Sequence, residues 1–67
     1  MQIKVNDIPY TFDENELSIA EILDKLRYTF PIIIVKHNDK VINSENFDNY
    51  LIYDNDEIII LHIFAGG

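Results

Sequence analysis

Ile32-Ile33-Ile34-Val35 is an unbroken run of β-branched side chains in a chain of only 67 residues. Branching at Cβ stiffens χ1 and favours the pleated conformation, so the run predicts a strand. Successive side chains of a strand point to opposite faces, so such a run is expected to be covered on both sides, near the centre of a mixed sheet. A second stretch, Ile58 to Phe64, predicts the longest strand, and Ile58-Ile59-Ile60-Leu61 is apolar on both faces. If Ile58 and Ile60 enter the core, Ile59, Leu61 and Ile63 fall on the other face. An exposed apolar patch of that kind is a candidate docking surface, with Phe64 a further anchor beside it. Loop aromatics such as Phe47 or Tyr53 would be the alternative cover for that face.

The rest of the chain supplies what such a sheet needs. Met1, Ile3 and Val5 alternate with polar residues, Asn6-Asp7 is a turn signal, and Ile8, Tyr10 and Phe12 alternate again, which predicts a hairpin. Pro9 has no amide donor and must face away from the ladder or lie at its edge. Asp13 to Glu16 reads as a polar loop. Ser18 with Glu21 predicts a capping box, Leu17 with Ile22 a hydrophobic staple, and Ile19, Ile22, Leu23 and Leu26 form one helical face. Pro31 disfavours helical angles at Phe30, so the helix is expected to end by Tyr28 or Thr29. Asn38-Asp39 predicts a turn into a short return strand over Lys40 to Ile42. Ser44 to Tyr50 reads as a helical turn pinned by Phe47 and Tyr50, and Asp54-Asn55-Asp56 as a turn with Asn55 left-handed. A right-handed crossover through the helix brings the last strand parallel to the first. The expected fold is therefore α+β: a β-grasp, or ubiquitin-like, mixed sheet of about five strands with one main helix packed across it. The expected organisation is a single domain over residues 1–67, with a flexible tail at residues 65–67.

Composition narrows the function. Apolar residues make up 48% of the chain, enough for a core and too many for a disordered segment. There is no cysteine, which excludes disulfides, thiolate metal sites and cysteine nucleophiles and is compatible with a reducing cytoplasm. No signal peptide is visible, and the apolar stretches are too short to span a membrane as helices. The 12 acidic and 5 basic residues give a net charge of -7, which disfavours nucleic acid and anionic membranes and permits a basic protein partner. His37 and His62 are isolated and lack metal-ligand spacing. Asp54, Asp56 and Glu57 lie near the last strand, either to set partner register or simply as a solvated turn.

Gly66-Gly67 are the only glycines, and they follow Ala65 directly after the last strand. Two residues without side chains can thread a narrow channel and present the terminal carboxylate to another protein's active site. Together with Met1-Gln2-Ile3, the Asn6-Asp7 turn, the Leu17 to Leu26 helix, Val41-Ile42 and the Asp54-Asn55-Asp56 turn, this ending resembles the ThiS-type sulfur carrier family of thiamin biosynthesis along the whole length. Family members often have Gly where this chain has Asn55, and many carry a Pro-Arg pair where it has Asn43-Ser44-Glu45.

The resemblance implies that the chain is a co-substrate rather than an enzyme. A ThiF-type, E1-like adenylyltransferase would use ATP and Mg to adenylate the Gly67 carboxylate. A sulfur donor such as a cysteine desulfurase would then supply a persulfide that converts the adenylate to a thiocarboxylate, and a ThiG-type thiazole synthase would consume it. No cofactor would be bound to the chain itself. Ala65 and Gly66 would form the tail, and Ile59, Leu61, Ile63 and Phe64 the partner surface. The small subunit of molybdopterin synthase and a ubiquitin-like protein modifier are the alternatives that share fold and tail.

Overall fold

Both hairpins turn on the dipeptide Asn-Asp, and in both turns the two residues have positive φ: 53° and 68° at Asn6 and Asp7, 52° and 66° at Asn38 and Asp39. Two consecutive positive φ values are what a two-residue type I′ connection requires, and Asn and Asp tolerate them best after glycine. The computed structural model describes residues 1–29 and 31–63. The first turn joins β1 (Gln2–Val5) to β2 (Ile8–Thr11), and the second joins β4 (Ile32–His37) to β5 (Lys40–Ile42). Between the hairpins lie β3 (Glu16–Ser18) and helix α1 (Ile19–Lys25). After them come a 3-10 turn (Ser44–Asn46), β6 (Leu51–Tyr53) and β7 (Glu57–Ile63).

The main sheet has the order β2-β1-β7-β4-β5. Strand β7 runs parallel to β1 and antiparallel to β4, so the first and last strands lie side by side as expected. Pro9 stands opposite Lys4 on the edge strand β2, where its missing N–H interrupts no ladder bond. Strands β3 and β6 pair with each other in a small second sheet. The sequence pattern predicts a polar loop through Glu16 and no strand at Leu51–Tyr53, and the structure has strands at both places. Three-residue strands are too short to show alternation; pairing, not pattern, makes them.

This second sheet positions the helix. Ser18 Oγ accepts the Glu21 N–H at 3.1 Å while Glu21 Oε1 accepts the Ser18 N–H at 2.9 Å, the reciprocal capping box. The Ile19 and Ala20 N–H groups donate to the carbonyls of Tyr50 and Phe47 at 3.0 and 2.9 Å, so the loop before β6 satisfies two further helix-end donors. Lys25 reaches Glu14 at 3.1 Å. The Glu14 backbone N–H, with the Lys25 ammonium, holds the Glu14 carboxyl below its ordinary pKa. The helix ends earlier than Pro31 alone would require. Leu26 is its C-cap, Arg27 takes φ 62°, and the Tyr28 and Arg27 N–H groups return to the carbonyls of Leu23 and Asp24. That is a Schellman motif built on arginine where glycine is usual. Phe30, on which the proline argument rested, lies outside the described residues.

The core forms between α1 and one face of the main sheet. Ile19 and Ile22 from the helix, Ile3 and Val5 from β1, Val35 from β4, and Ile58 and Ile60 from β7 are at most 2% exposed. Leu17 and Ile52, paired across the small sheet, close the same cluster from the side.

Candidate functional site

The site is built on β7. Its register against β4 runs from Ile32 opposite Ile63 to His37 opposite Ile58. Alternation then divides the strand. Ile58 and Ile60 are 1% and 2% exposed beneath the helix, whereas Ile59, Leu61 and Ile63 are 39%, 49% and 44% exposed on the opposite face. The division matches the sequence expectation. What the sequence reading missed is the contribution of β4. Its apolar run was expected to be covered on both faces, yet Ile32 is 43% exposed beside Ile63, and half-buried Ile34 stands opposite Leu61. Val41 on β5, paired with Lys36, extends the same face. The physical reason is that one helix covers one face of a sheet, and nothing among the described residues covers the other.

The alternative cover is ruled out by position. The Phe47 carbonyl accepts a bond from the helix N-terminus, and Tyr53 pairs with Glu16 in the small sheet. Phe47 packs against the helix-side core and Tyr53 is itself exposed, so Ile59, Leu61 and Ile63 stay open. Phe64, Ala65, Gly66 and Gly67 lie outside the described residues, and β7 ends at Ile63 directly before them.

Asn6 finishes the β1 side of β7. Its backbone N–H donates to the Ile58 carbonyl at 3.0 Å. Its side-chain amide accepts the Ile60 N–H at 2.7 Å and donates to the Ile60 carbonyl at 3.0 Å. An Asn side chain thus continues the ladder where the β1 backbone has already turned away.

The acidic turn is structural. Asp54 Oδ1 accepts the Gln2 N–H at 2.6 Å, Asp56 Oδ2 accepts the Tyr53 N–H at 2.9 Å, and Asn55 takes φ 71°. Both aspartates are therefore used in fixing the β6–β7 turn. Asp56 also lies 3.5 Å from His37 Nε2. His37 Nδ1 and the Tyr50 hydroxyl are hydrogen-bonded at 2.8 Å. The His37 and Tyr50 rings meet edge-on at 5.6 Å. This His-Tyr-Asp contact ties the end of β4 to two loops, and no spacing in the sequence announced it. His62 lies against Tyr28 with ring centroids 6.3 Å apart. Among the described residues no group of three or more His, Cys, Asp or Glu side chains is placed to hold a metal. No helix among them is long and apolar enough to cross a membrane.

A mixed sheet gripping one helix, with a bare apolar face leading into a Gly-Gly ending, defines a ubiquitin-like β-grasp protein. The ThiS family model matches residues 3–67, and the chain belongs to that family. The crystal structure of the thiamine biosynthesis protein ThiS from Geobacter metallireducens is similar with a TM-score of 0.86 at 30% identity, covering 100% of both chains. An NMR solution structure of a thiamine biosynthesis protein from the same organism gives a TM-score of 0.78 at 30% identity, covering 100% of this chain and 88% of that one. No curated protein matches the chain.

Proposed function

We propose that this protein is the sulfur carrier of a thiamin pathway and that the Gly67 carboxylate is its reactive group. A carboxylate is a poor electrophile, because attack adds charge to a group that is already anionic. Joining it to AMP neutralises that charge and installs a leaving group. In the first step a carboxylate oxygen of Gly67 attacks the α-phosphorus of ATP and pyrophosphate leaves. In the second, the terminal sulfur of a persulfide attacks the acyl carbon and AMP leaves; a thiol then cleaves the S–S bond and frees the thiocarboxylate. The developing charges are met by the metal and hydrogen-bond donors of the adenylyltransferase. The carrier contributes an unhindered acyl end and a surface by which it is held. That surface is Ile59, Leu61 and Ile63 with Ile32 and Ile34 beside them, and Phe64 is a further contact. A thiazole synthase then takes the sulfur.

The observation that carries this reading is the family match, which runs through Gly67. The test is intact mass after incubation with the adenylyltransferase from the same genome, Mg-ATP and a persulfide source. Replacement of one oxygen by sulfur at the C-terminus is expected. An unchanged mass, or an isopeptide-linked adduct, overturns the proposal. Gly66→Val should unfold at the wild-type temperature and fail to be adenylated, because a branched side chain next to the acyl end obstructs threading.

A further inference from the structure

The chain carries 12 acidic and 5 basic residues, yet the open face of the main sheet runs against that excess. Among the strand residues described there, the charged ones are Lys4 on β1, Glu57 on β7 and Lys36 on β4. Lys4 is in register with Glu57, and Lys36 with Ile59. Neither lysine is ion-paired; the lysine–carboxylate pair among the described residues is Lys25 with Glu14. Lys36 is half-buried, flanked by its cross-strand neighbours Ile59 and Val41. A lysine in such a place can lay its aliphatic stem along the apolar face and keep its ammonium in water.

That arrangement constrains whatever covers the face. A partner that buries Ile59, Leu61 and Val41 also strips water from the Lys36 ammonium, and a desolvated charge is strongly unfavourable unless an anion meets it. Asp39 and Glu57 line the same surface depression as Lys36, but neither carboxylate lies within ion-pairing distance of its ammonium. Resting on the docking role proposed above, we infer that the adenylyltransferase surface closing over this face is apolar at its centre and carries a carboxylate opposite Lys36. Lys36 is then a specificity-determining contact, and the net charge of the chain is a misleading guide to its partner. A surface matched to the whole-molecule charge would be basic, and it would be repelled at the contact itself.

The test is steady-state adenylation of full-length variants by that enzyme, with thermal unfolding measured alongside. Lys36→Glu should raise the KM about tenfold or more at low salt, leave kcat within about twofold, and approach wild type as salt rises. Lys36→Met should also raise the KM, because it leaves the partner's carboxylate buried without a cation. Lys25→Glu makes the same change in net charge on the helix side and should leave the KM unchanged. Three results overturn the inference: Lys36→Met equal to or better than wild type, Lys36→Glu at the wild-type KM, or Lys25→Glu as impaired as Lys36→Glu. If the wild type is adenylated normally in those cases, only this inference falls. A wild type that is never adenylated removes the proposed function as well.

Discussion

Ile60 and Ile59 are the same residue type, adjacent in the same strand, and 2% and 39% exposed respectively. On the helix side of β7 each isoleucine is enclosed by α1, β1 and β4. Full burial of such a side chain contributes about 1.5–3 kcal/mol. On the open side the same side chains gain only what their cross-strand neighbours shield. One face is therefore kept for folding. The other adds little stability and leaves apolar area in water, which the docking role proposed above would explain.

Four substitutions probe that contrast. Ile60→Ala should have the largest effect on stability, a loss of about 2–5 kcal/mol in denaturant unfolding, because it opens a cavity beneath the helix. A loss no larger than that of Ile59→Ala would break the comparison. Asn6→Asp keeps the acceptor for the Ile60 N–H but sets an oxygen against the Ile60 carbonyl. It should cost about 1–3 kcal/mol at neutral pH, and less on acidification, when the protonated carboxyl can donate to that carbonyl. A pH-independent loss would mean that the amide does not bridge β7. Arg27→Gly should raise stability by about 0.5–1 kcal/mol, because glycine takes the left-handed angle without a Cβ clash. If it destabilises instead, the Arg27 side chain contributes to the covered face. Leu61→Asn should change stability least, by about 0.5 kcal/mol, while sharply lowering the rate of adenylation. Normal adenylation of this variant would remove the binding role assigned to the open face.

Elements written in local pattern were legible before the structure. The capping box at Ser18 and Glu21, the two Asn-Asp turns, left-handed Asn55 and the split of Ile58 and Ile60 from Ile59, Leu61 and Ile63 follow from periods and turn chemistry acting over a few residues. The β3–β6 pair was not legible, because its two segments are more than thirty residues apart and neither has a period of its own. The true end of the helix was missed because arginine is an unusual residue for a left-handed cap, so the proline downstream looked like the stop. The site was half-legible. The β7 side of the patch could be read from alternation, but β4 was expected to be covered twice because an apolar run carries no mark of which face meets the helix.

By itself the sequence determined the two hairpins, the helix, the last strand, the turns, the apolar supply for one core and a Gly-Gly pair after the last strand, since each depends on neighbours along the chain. Tertiary structure decided what lies across from what. It left Ile32 and Ile34 beside Ile63 and Leu61 on a bare face, set Lys36 between Ile59 and Val41 with no carboxylate of the described residues in ion-pairing distance, and used Asp54 and Asp56 to hold a turn. The reason is that burial and charge pairing are properties of packed surfaces, and residues that share a surface here come from strands distant in sequence.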